Sequence, residues 1–574
     1  MLRLHVLSTI LIVIFIHCHL AFADPLGTVV ITPGGTNPEG TTIQETVPLR
    51  PSGRDTFAAL PVDALWAKIS ASNGNAIIGI KKPGSPRGAW KSTTLISQAE
   101  VEVYTNQITA IVGVSSIVYR DPVLPYRVFK LDNQAALETI HHLPFVDYIE
   151  PGNLELQRLG IGCGKTNPTW SSTFDASGDI IPRIFSANGI DRAWKRQING
   201  KGINIGVVDT GLFRGQEEFW PERFASITEN VRTIRYGDCL TQQCLDSLPD
   251  GAFDQCNHGT RIAGAIAAPR DGANIVGVAY GANLHAVKVA DGVWSDDPLT
   301  DISHIRGIRA VREAGARIIE MAFGGTFTSN VMSDVIMFEY YRTDRPEVLF
   351  VAAAGTLVCV PLVSVTFPAR LPEVLAVTGV NRDGTLAAEV CNGPEVDLAA
   401  VLEDFETTGD TLGSVITLGG SSGASAMVAG IAALVWSQNP AMTRSQVIDR
   451  LRDTAWQSPS LGVRVVNAYV ATGGIRTARI IGPSYPVTAE QSYTLGTEVI
   501  GDGPFAYTWD RGETTSSVNR SGPGQSSVTV KDLTDGNEIR LNFTVVPVSP
   551  TETPGTETPD IKEKKCLKKP WLCE

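Results

Sequence analysis

The amino-acid sequence predicts an α/β fold with a parallel central sheet, preceded by a small α+β unit and followed by a small β-sandwich. Three segments, 317–323, 348–354 and 374–380, have the mostly apolar composition of buried strands. Strands of this kind are buried on both faces, as in a parallel sheet covered by helices. The helix expected before the first of them repeats apolar residues at every third position, at Ile302, Ile305, Ile308 and Val311.

Length and composition limit the classes of protein to which the chain can belong. Its 574 residues are enough for about three or four domains, and 43% of them are hydrophobic, so most of the chain can bury cores. The formal net charge of −12 argues against a nucleic-acid partner or an anionic membrane surface, because both attract a basic protein face.

The first 23 residues have the features of a secretory signal peptide. A basic start precedes an apolar run at 7–16, and Ala21 and Ala23 are the small residues that an exporting peptidase recognises. A membrane anchor is the alternative, but the apolar run is short for a span of about 20 residues. No later segment looks long and apolar enough to span a bilayer. We therefore expect a secreted protein whose mature form has no membrane span.

The cysteines agree with export. Of nine cysteines, Cys18 leaves with the signal peptide and eight remain, an even number that predicts disulfides in an oxidising compartment. Their proximity suggests the pairs Cys359–Cys391 and Cys566–Cys573. Zinc is the alternative for Cys239, Cys244 and Cys256, although their spacing fits no common zinc pattern.

Residues 24–165 are expected to precede the central domain, which we place at 180–474. The stretch 24–74 is rich in Gly, Pro and Thr without a sustained period and predicts a loose leader. A compact unit is expected at 76–151, where strand-like runs and one capped helix follow each other closely. Its strands are expected at 77–80, 108–118, 128–131 and 146–150, and its helix at 135–142.

The sequence changes character after about residue 474. Short strand-like runs alternate with turns, which predicts a β-sandwich at 475–548. The expected strands lie at 493–495, 506–509, 527–530 and 541–546. Residues 549–574 are predicted to form a disordered tail rich in Thr, Pro and Glu, with a terminal pair of cysteines.

Asp209 is the first candidate for a catalytic role. The segment 206–211, GVVDTG, places it at the carboxyl end of a buried strand, where open α/β sheets form their sites. A DTG triplet also occurs in aspartic proteases, but these need two such carboxylates sharing one proton, and this chain has a single DTG.

A histidine and a serine complete the candidate site. Among the histidines of the chain, His258 alone is expected at a loop-to-helix junction with a glycine beside it, where another segment can approach closely. The segment GGSSG at 419–423 also fits the nucleophile elbow of α/β-hydrolases, with Ser421 as the nucleophile. In that class the acid and the histidine follow the serine. No histidine lies beyond His304, so this alternative fails, and an esterase remains only as a side activity.

Three segments in the order Asp, His, Ser resemble the signatures of the subtilisin-like serine protease (subtilase) family: IGVVDTG at 205–211, HGTRIAG at 258–264 and GSSGASAMVAG at 420–430. The resemblance covers roughly residues 185–472 and aligns Ser422 with the family's nucleophile. It implies a subtilisin-like three-layer fold and a serine endopeptidase with the triad Asp209, His258 and Ser422, acting on protein or peptide substrates.

The resemblance also implies the surroundings of the triad. The residues expected to flank a bound peptide are Ala322, Phe323, Gly324, Gly325, Ala353, Ala354 and Gly355. Thr356 replaces the asparagine that supplies the oxyanion hole in the family, and Ala426 replaces a proline. These departures leave a second hypothesis open, in which the chain is a catalytically weak or inactive binding protein on a subtilase scaffold.

The unit 76–151 resembles the inhibitor-type propeptide of subtilases, which implies a self-processed zymogen whose own propeptide is an intramolecular inhibitor. An accessory binding domain is the alternative. Cleavage is expected within 152–185. The C-terminal β-sandwich weakly resembles immunoglobulin-type or PKD-type modules. No cofactor is expected to be required, and structural calcium is suggested by the family alone.

Overall fold

The computed structural model describes most of the chain between residues 60 and 548. The described residues are 28–31, 45–48, 60–85, 96–152, 173–174, 178–212, 232–236, 254, 256–272, 274–290, 292–293, 302–325, 328–357, 364–403, 405–409 and 414–548. The chain divides into two compact units. Unit 1 comprises Met1–Gly152 and Phe327–Val331, and unit 2 comprises Asn153–Thr326 and Met332–Glu574.

Unit 1 contains three helices and two antiparallel sheets among its described residues. The helices are α1 (Val62–Ala71), α2 (Gln98–Val112) and α3 (Gln134–His141). The strands are β1 (Thr28–Ile31), β2 (Glu45–Pro48), β3 (Asn75–Ile80), β4 (Ile117–Arg120), β5 (Tyr126–Lys130) and β6 (Val146–Pro151). β1 pairs with β2, and the other four form a sheet in the order β4-β5-β3-β6. Alternate residues of β3, Ala76, Ile78 and Ile80, share one core with the helices.

Two sequence predictions for unit 1 were wrong. The segment 108–118, expected as a strand, is the end of α2 and the start of β4. Val101, Thr105 and Ile108 are buried at helical spacing, so packing outweighs the β propensity of the branched residues. The stretch expected to be an irregular leader contains α1, which buries Leu65 and Ile69 four positions apart.

The centre of unit 2 is a sheet with helices around it. Its first helices are α4 (Ile184–Ala187), α5 (Ile190–Lys195), α6 (His258–Ala267), α7 (Ile302–Glu313) and α8 (Asn330–Tyr341), followed by α9 (Gly420–Gln438), α10 (Arg444–Thr454) and α11 (Ala468–Ala471). The strands are β7 (Thr173–Phe174), β8 (Ile180–Ile181), β9 (Asn204–Asp209), β10 (Arg232–Tyr236), β11 (Asn283–Lys288), β12 (Ile318–Met321), β13 (Leu349–Ala353), β14 (Val374–Val380), β15 (Leu398–Val401), β16 (Phe405–Thr408), β17 (Val415–Leu418), β18 (Trp456–Gln457) and β19 (Arg464–Val465).

Among the described residues, nine strands form this sheet in the order β10-β11-β9-β12-β13-β14-β15-β19-β18. The pairs are parallel except for β18 with β19, which are antiparallel. The expected parallel sheet is therefore mixed, although mostly parallel. The exception has a simple cause, since two short consecutive strands joined by a turn pair antiparallel, whereas parallel strands need a longer crossover.

Helix α9 crosses the core of unit 2. It is the one helix, within the described part of the chain, that is long and apolar enough to cross a membrane, a property that the sequence analysis did not expect. However, 83% of its apolar stretch is buried. Trp436 and Met427 are fully buried in the same core as Ile262 and Ile266 of α6, which identifies α9 as a packed core helix.

The end of the described chain forms two further antiparallel sheets, which we call the C-terminal sheets. Their strands are β20 (Thr477–Ile481), β21 (Ser492–Ile500), β22 (Phe505–Trp509), β23 (Ser517–Ser521), β24 (Gly524–Asp532) and β25 (Glu538–Val545). One sheet has the order β20-β21-β23 and the other β22-β24-β25. Leu495 and Val518 of the first sheet pack with Trp509 and Val528 of the second. The sequence did not predict β20 and β23. β23 has one large apolar residue, so it shows no alternation of apolar and polar residues that would indicate a strand.

The C-terminal sheets are joined to the rest of unit 2 through Arg196, which follows α5. Its Nη1 lies 2.7 Å from Oδ2 of Asp532 and 3.3 Å from Oδ2 of Asp535. Its Nε donates to the carbonyl oxygen of Thr472 at 3.1 Å. The arginine side chain is 6% exposed and both carboxylates are almost fully buried. Two buried carboxylates therefore depend on one cation.

Replacing Arg196 with Met should leave Asp532 and Asp535 buried without their cation. We expect the free energy of unfolding to fall by about 3–5 kcal/mol, the cost of removing one partner from a buried ion pair. Thermal and urea unfolding of the purified protein measure this loss. The control is Arg479→Met, which removes an exposed partner of Glu498 and should cost less than about 1 kcal/mol. Equal losses in both variants would contradict the prediction.

Candidate active site

The predicted site residues gather at the carboxyl edge of the parallel sheet. Asp209 is the last residue of β9. Ala322 follows the end of β12, and Ala353 is the last residue of β13. These strands run parallel and are neighbours in the sheet. Their ends therefore open on the same side, where open α/β sheets place their ligands.

Asp209 and His258 are in direct contact. Nδ1 of His258 lies 2.9 Å from Oδ1 and 3.1 Å from Oδ2 of Asp209. The two residues are 6% and 2% exposed. The backbone N–H of Thr210 donates a second hydrogen bond to Oδ1 at 2.7 Å. A carboxylate at this nitrogen favours the tautomer with hydrogen on Nδ1, which leaves Nε2 free to accept a proton.

The start of α6, and with it His258, is held by a residue that the sequence analysis missed. Asp254 is 2% exposed, and its carboxylate accepts hydrogen bonds from the backbone N–H of Asn257 at 2.7 Å and of Thr260 at 3.0 Å. It also accepts from the hydroxyls of Thr260 and Thr210. A carboxylate at a helix N-terminus satisfies free N–H groups and complements the helix dipole. An aspartate four residues before the histidine was the available signal.

Backbone contact also fixes the distance between α6 and the loop after β9. A Cβ atom added to Gly259 would lie 2.3 Å from the carbonyl oxygen of Gly211 and 2.9 Å from its nitrogen. The backbone N–H of Gly259 donates to the hydroxyl of Thr210 at 2.8 Å. Glycine at 259 is thus required for the close approach that brings the histidine to the aspartate.

Ser422 lies in the first turn of α9 and is half-buried. Its hydroxyl donates to the carbonyl oxygen of Ala322 at 3.3 Å. Within the described residues it makes no hydrogen bond to the ring of His258. Catalytic hydrogen bonds are often long or misaligned before substrate binds. The aspartate and histidine are brought together, and the serine is placed beside the end of β12.

The neighbouring Ser421 has a different environment from Ser422. It is 1% exposed, and its Oγ accepts from the backbone N–H of Gly355 at 3.0 Å and lies 3.0 Å from Oγ1 of Thr356. Its backbone N–H donates to the same Oγ1 at 3.0 Å. Gly420 permits this packing, since a Cβ atom there would lie 2.6 Å from Oγ1 of Thr356. Ser421 is therefore occupied internally, which disfavours it as a nucleophile.

Most of the residues expected to flank a peptide are buried, and three of them are hydrogen-bonded to a segment that the sequence analysis missed. The backbone of Gly325 exchanges two hydrogen bonds with Phe367, and Gly324 approaches Thr366 closely. The carbonyl oxygen of Ala354 accepts from the backbone N–H of Thr366 at 2.9 Å. Thr366 and Phe367 thus join the ends of β12 and β13, a pairing without a periodic signal.

The histidine of α7, His304, is buried and packs against an aromatic side chain. His304 is 1% exposed, and its ring packs edge-on against Phe323 with centroids 4.7 Å apart. Burial lowers the pKa of His304 to about 4, and the nearby charge of Asp209 opposes the shift. The ring is therefore neutral at neutral pH.

Burial raises the pKa of Asp254, while hydrogen bonds from Thr260 and Thr210 oppose that shift.

Comparisons with known proteins identify the family. The sequence model of the Subtilase family matches residues 200–486. A thermostable alkaline protease of Halalkalibacterium halodurans is 35% identical over 295 residues, which cover 51% of this chain and 73% of the relative. The chain belongs to the subtilase family.

Subtilisin E of Bacillus subtilis is 30% identical over 259 residues, and the match spans 45% of this chain and 61% of that protein. A crystal structure of MycP1 with its N-terminal propeptide removed matches 51% of this chain and 96% of its own with 21% identity and a TM-score of 0.39. Membership of the family, together with the similarity to these proteases, identifies this subtilase as a serine-type endopeptidase.

Two expectations about metals and cysteines stay predictions. In the described part of the chain, no group of three or more His, Cys, Asp or Glu side chains could hold a metal ion. No ligands can therefore be named for the calcium ion that the family resemblance suggests. Cys391 is buried. Cys359, Cys566 and Cys573 lie outside the described residues, as do Cys239 and Cys244 of the alternative zinc site.

Gly259→Ala should place a methyl group where the backbone of Gly211 already lies, and so push α6 away from β9. We expect kcat/KM on a chromogenic peptide to fall about a hundredfold, because a displacement of about 1 Å between reacting groups has an effect of that size. The control is Gly496→Ala in β21, whose added methyl meets no atom within 4 Å and should leave kcat/KM unchanged. An unchanged kcat/KM in Gly259→Ala would sink this account of the close approach.

Proposed function

We propose that this subtilase is a secreted serine endopeptidase that hydrolyses peptide bonds through an acyl-enzyme, with Asp209, His258 and Ser422 as its triad. The observation that carries the proposal is the buried contact between the carboxylate and the imidazole, 2.9 Å at its shortest. A buried carboxylate that orients a neutral imidazole is the arrangement a general base needs. Ser422, half-buried at the same edge, is the available nucleophile.

In the proposed reaction, Oγ of Ser422 attacks the peptide carbonyl while Nε2 of His258 takes the hydroxyl proton. The imidazolium then protonates the leaving amine, and the acyl-enzyme remains on the serine. Water, activated by the same imidazole, releases the acid and regenerates the hydroxyl. Asp209 keeps the ring in the required tautomer and stabilises its charged form.

The oxyanion is stabilised in this proposal by a pair of hydroxyls, Thr356 and Ser421. Oγ of Ser421 already accepts a hydrogen bond from the N–H of Gly355, so its own hydroxyl can donate a hydrogen bond to Oγ1 of Thr356. The single proton of Thr356 is then free to point at the developing charge. The backbone N–H of Ser422, in the first turn of α9, adds a second donor with the helix dipole behind it. The missing asparagine is thus replaced by a polarised hydroxyl.

Substrate binding in this proposal follows the ends of β12 and β13. The peptide would lie along Ala322, Phe323, Gly324 and Gly325 on one side and Ala353, Ala354 and Gly355 on the other. Protein or peptide chains are the proposed substrates, because the chain belongs to the subtilase family and its relatives are proteases.

The N-terminal region is proposed to be processed. Residues 1–23 would be a signal peptide, and 24–165 a propeptide whose unit 76–151 inhibits the peptidase domain, 180–474, until self-cleavage within 152–185. Support comes from unit 1, which includes Phe327–Val331 from the family-matched region. There the carboxylate of Glu150 accepts from the backbone N–H of Asn330 at 2.6 Å.

The C-terminal sheets are proposed to form a β-sandwich module of the immunoglobulin or PKD type at 475–548, followed by a disordered tail at 549–574. The two sheets share one apolar core, which supports a sandwich. The buried ion pairs of Arg196 support the docking of this module on the rest of unit 2.

A catalytically weak or inactive binding protein is the second candidate. It is favoured by Thr356 in place of asparagine and by the hydroxyl of Ser422, which is bonded to Ala322 and not to His258. Covalent labelling distinguishes the two candidates, because only a working nucleophile reacts with a serine-directed phosphonate.

Ser422→Ala should abolish peptide hydrolysis and phosphonate labelling, and the secreted chain should retain its N-terminal unit, since the nucleophile for both reactions is gone. Mass spectrometry of the secreted protein measures labelling and processing together. Ser421→Ala is the matched control and should still be labelled at Ser422, although more slowly. An unlabelled mature wild type would favour the binding protein, and a Ser422→Ala chain trimmed at the normal rate would assign processing to another protease.

Thr356→Val keeps the shape of the side chain and removes its hydroxyl. We expect kcat to fall about 10²–10³-fold with KM little changed, the effect of losing one oxyanion donor. Steady-state kinetics on a chromogenic peptide check this. Thr356→Ser keeps the hydroxyl and should retain most of the turnover. If the Val variant turns over at the wild-type rate, Thr356 is not the donor.

A further inference from the structure

Glu320 is a buried acid next to the candidate site for which the proposed reaction gives no role. It lies in β12, opposite Val207 of β9 and so two residues before Asp209 along the neighbouring strand. Its exposure is 0%. In the described part of the chain, no lysine or arginine forms an ion pair with it and its Oε2 has no hydrogen-bond partner. An ionised carboxylate in such a place would be costly.

The hydroxyl of Ser425 indicates the protonation state of Glu320. Oγ of Ser425 lies 2.7 Å from Oε1 of Glu320 and 3.0 Å from the carbonyl oxygen of Ser422. A hydroxyl has one proton, so it cannot donate fully to both oxygens. Both contacts become good hydrogen bonds if a neutral Glu320 donates to Ser425, and Ser425 donates to Ser422. Burial of Oε2 without a hydrogen-bond partner also costs much less desolvation free energy when the carboxyl group is neutral than when it is ionised.

Charge and burial point in the same direction. Burial and the nearby carboxylate of Asp209 raise the pKa of Glu320 well above its ordinary value, and bonds from Ser425 and the backbone N–H of Ala322 oppose the shift only in part. If Glu320 were ionised, a second negative charge would face the one that orients His258.

We propose that Glu320 is a neutral carboxylic acid that positions Ser422, through the chain Glu320 O–H to Ser425 O–H to the carbonyl oxygen of Ser422. The same carboxyl group faces the N–H of Ala322, whose carbonyl oxygen holds the hydroxyl of Ser422. One side chain thus ties the first turn of α9 to the end of β12. Glu320 touches no substrate and is a positioning residue. The inference rests on the proposed role of Ser422 as nucleophile.

The kinetic test compares two replacements of similar size. Glu320→Gln keeps a donor for Ser425 and an acceptor for Ala322, so kcat should stay within about twofold of the wild type. Glu320→Met removes both groups and should lower kcat about tenfold, the effect of one lost neutral hydrogen bond, with KM unchanged. Phosphonate titration of the mature protein gives the concentration of active sites, so kcat is calculated per molecule of folded enzyme. A Met variant with wild-type kcat, or a Gln variant as impaired as Met, would overturn the proposal.

Ser425→Ala provides the same test if Glu320→Met fails to fold, as shown by loss of its thermal unfolding transition. Ser425→Ala breaks the chain of hydrogen bonds and leaves Glu320 in place. We expect it to lower kcat about tenfold with KM unchanged. Adding Glu320→Gln to Ser425→Ala should cause no further loss, because both changes act on one chain of hydrogen bonds. Wild-type turnover in Ser425→Ala would refute the positioning role.

Infrared difference spectroscopy of the wild type against Glu320→Gln tests the protonation state without any use of activity. At neutral pH we expect the wild type to show the carbonyl band of one additional protonated carboxylic acid. A carboxylate band in its place would overturn the inference. Because this readout does not involve catalysis, its failure is distinguishable from a failure of Ser422 as the nucleophile, which the phosphonate labelling reports.

Discussion

The site depends on one constraint, the burial of the Asp209 carboxylate against the ring of His258. A buried carboxylate is tolerated only when its oxygens are hydrogen-bonded, and here the imidazole and the backbone N–H of Thr210 supply those bonds. The imidazole arrives there because Asp254 holds the start of α6 and Gly259 lets that helix touch the loop after β9. The position of His258 relative to Asp209 is therefore set by backbone packing several residues away.

Three buried acids lie in this small region, and each has a different environment. Asp209 has an imidazole partner, Asp254 accepts four hydrogen bonds at a helix start, and Glu320 contacts the hydroxyl of Ser425 while, within the described residues, its Oε2 has no hydrogen-bond partner. Groups of one chemical type acquire separate roles when their surroundings favour different protonation states. Like charges so close together favour a site in which at least one acid is neutral.

The replacement of an asparagine by Thr356 is accompanied by a local network. Thr356, Ser421 and Gly355 form a closed set of contacts near 3.0 Å, so Oγ1 of Thr356 is held in position. A fixed donor costs little reorganisation when charge develops. In the proposed oxyanion hole, this preorganisation would compensate in part for the shorter reach of threonine.

The sequence alone determined the features that depend on local pattern. The bounds of β14 and the apolar face of α7 follow from composition and periodicity, and Asp209 and His258 were each recognised from a short motif whose residues lie close along the chain. Family membership follows from the same motifs.

The tertiary structure decided the rest, because the deciding contacts join residues far apart in sequence. Ser421 meets Thr356 from 65 positions away, and Ser425 meets Glu320 from 105. Helical packing turned the β-branched stretch after Ile108 into the end of α2, against its local propensity. Neither a hydrogen bond between distant side chains nor the cost of burying a charge leaves a periodic signal, so only the folded chain could show which serine is enclosed and which acid is buried without a cation among the described residues.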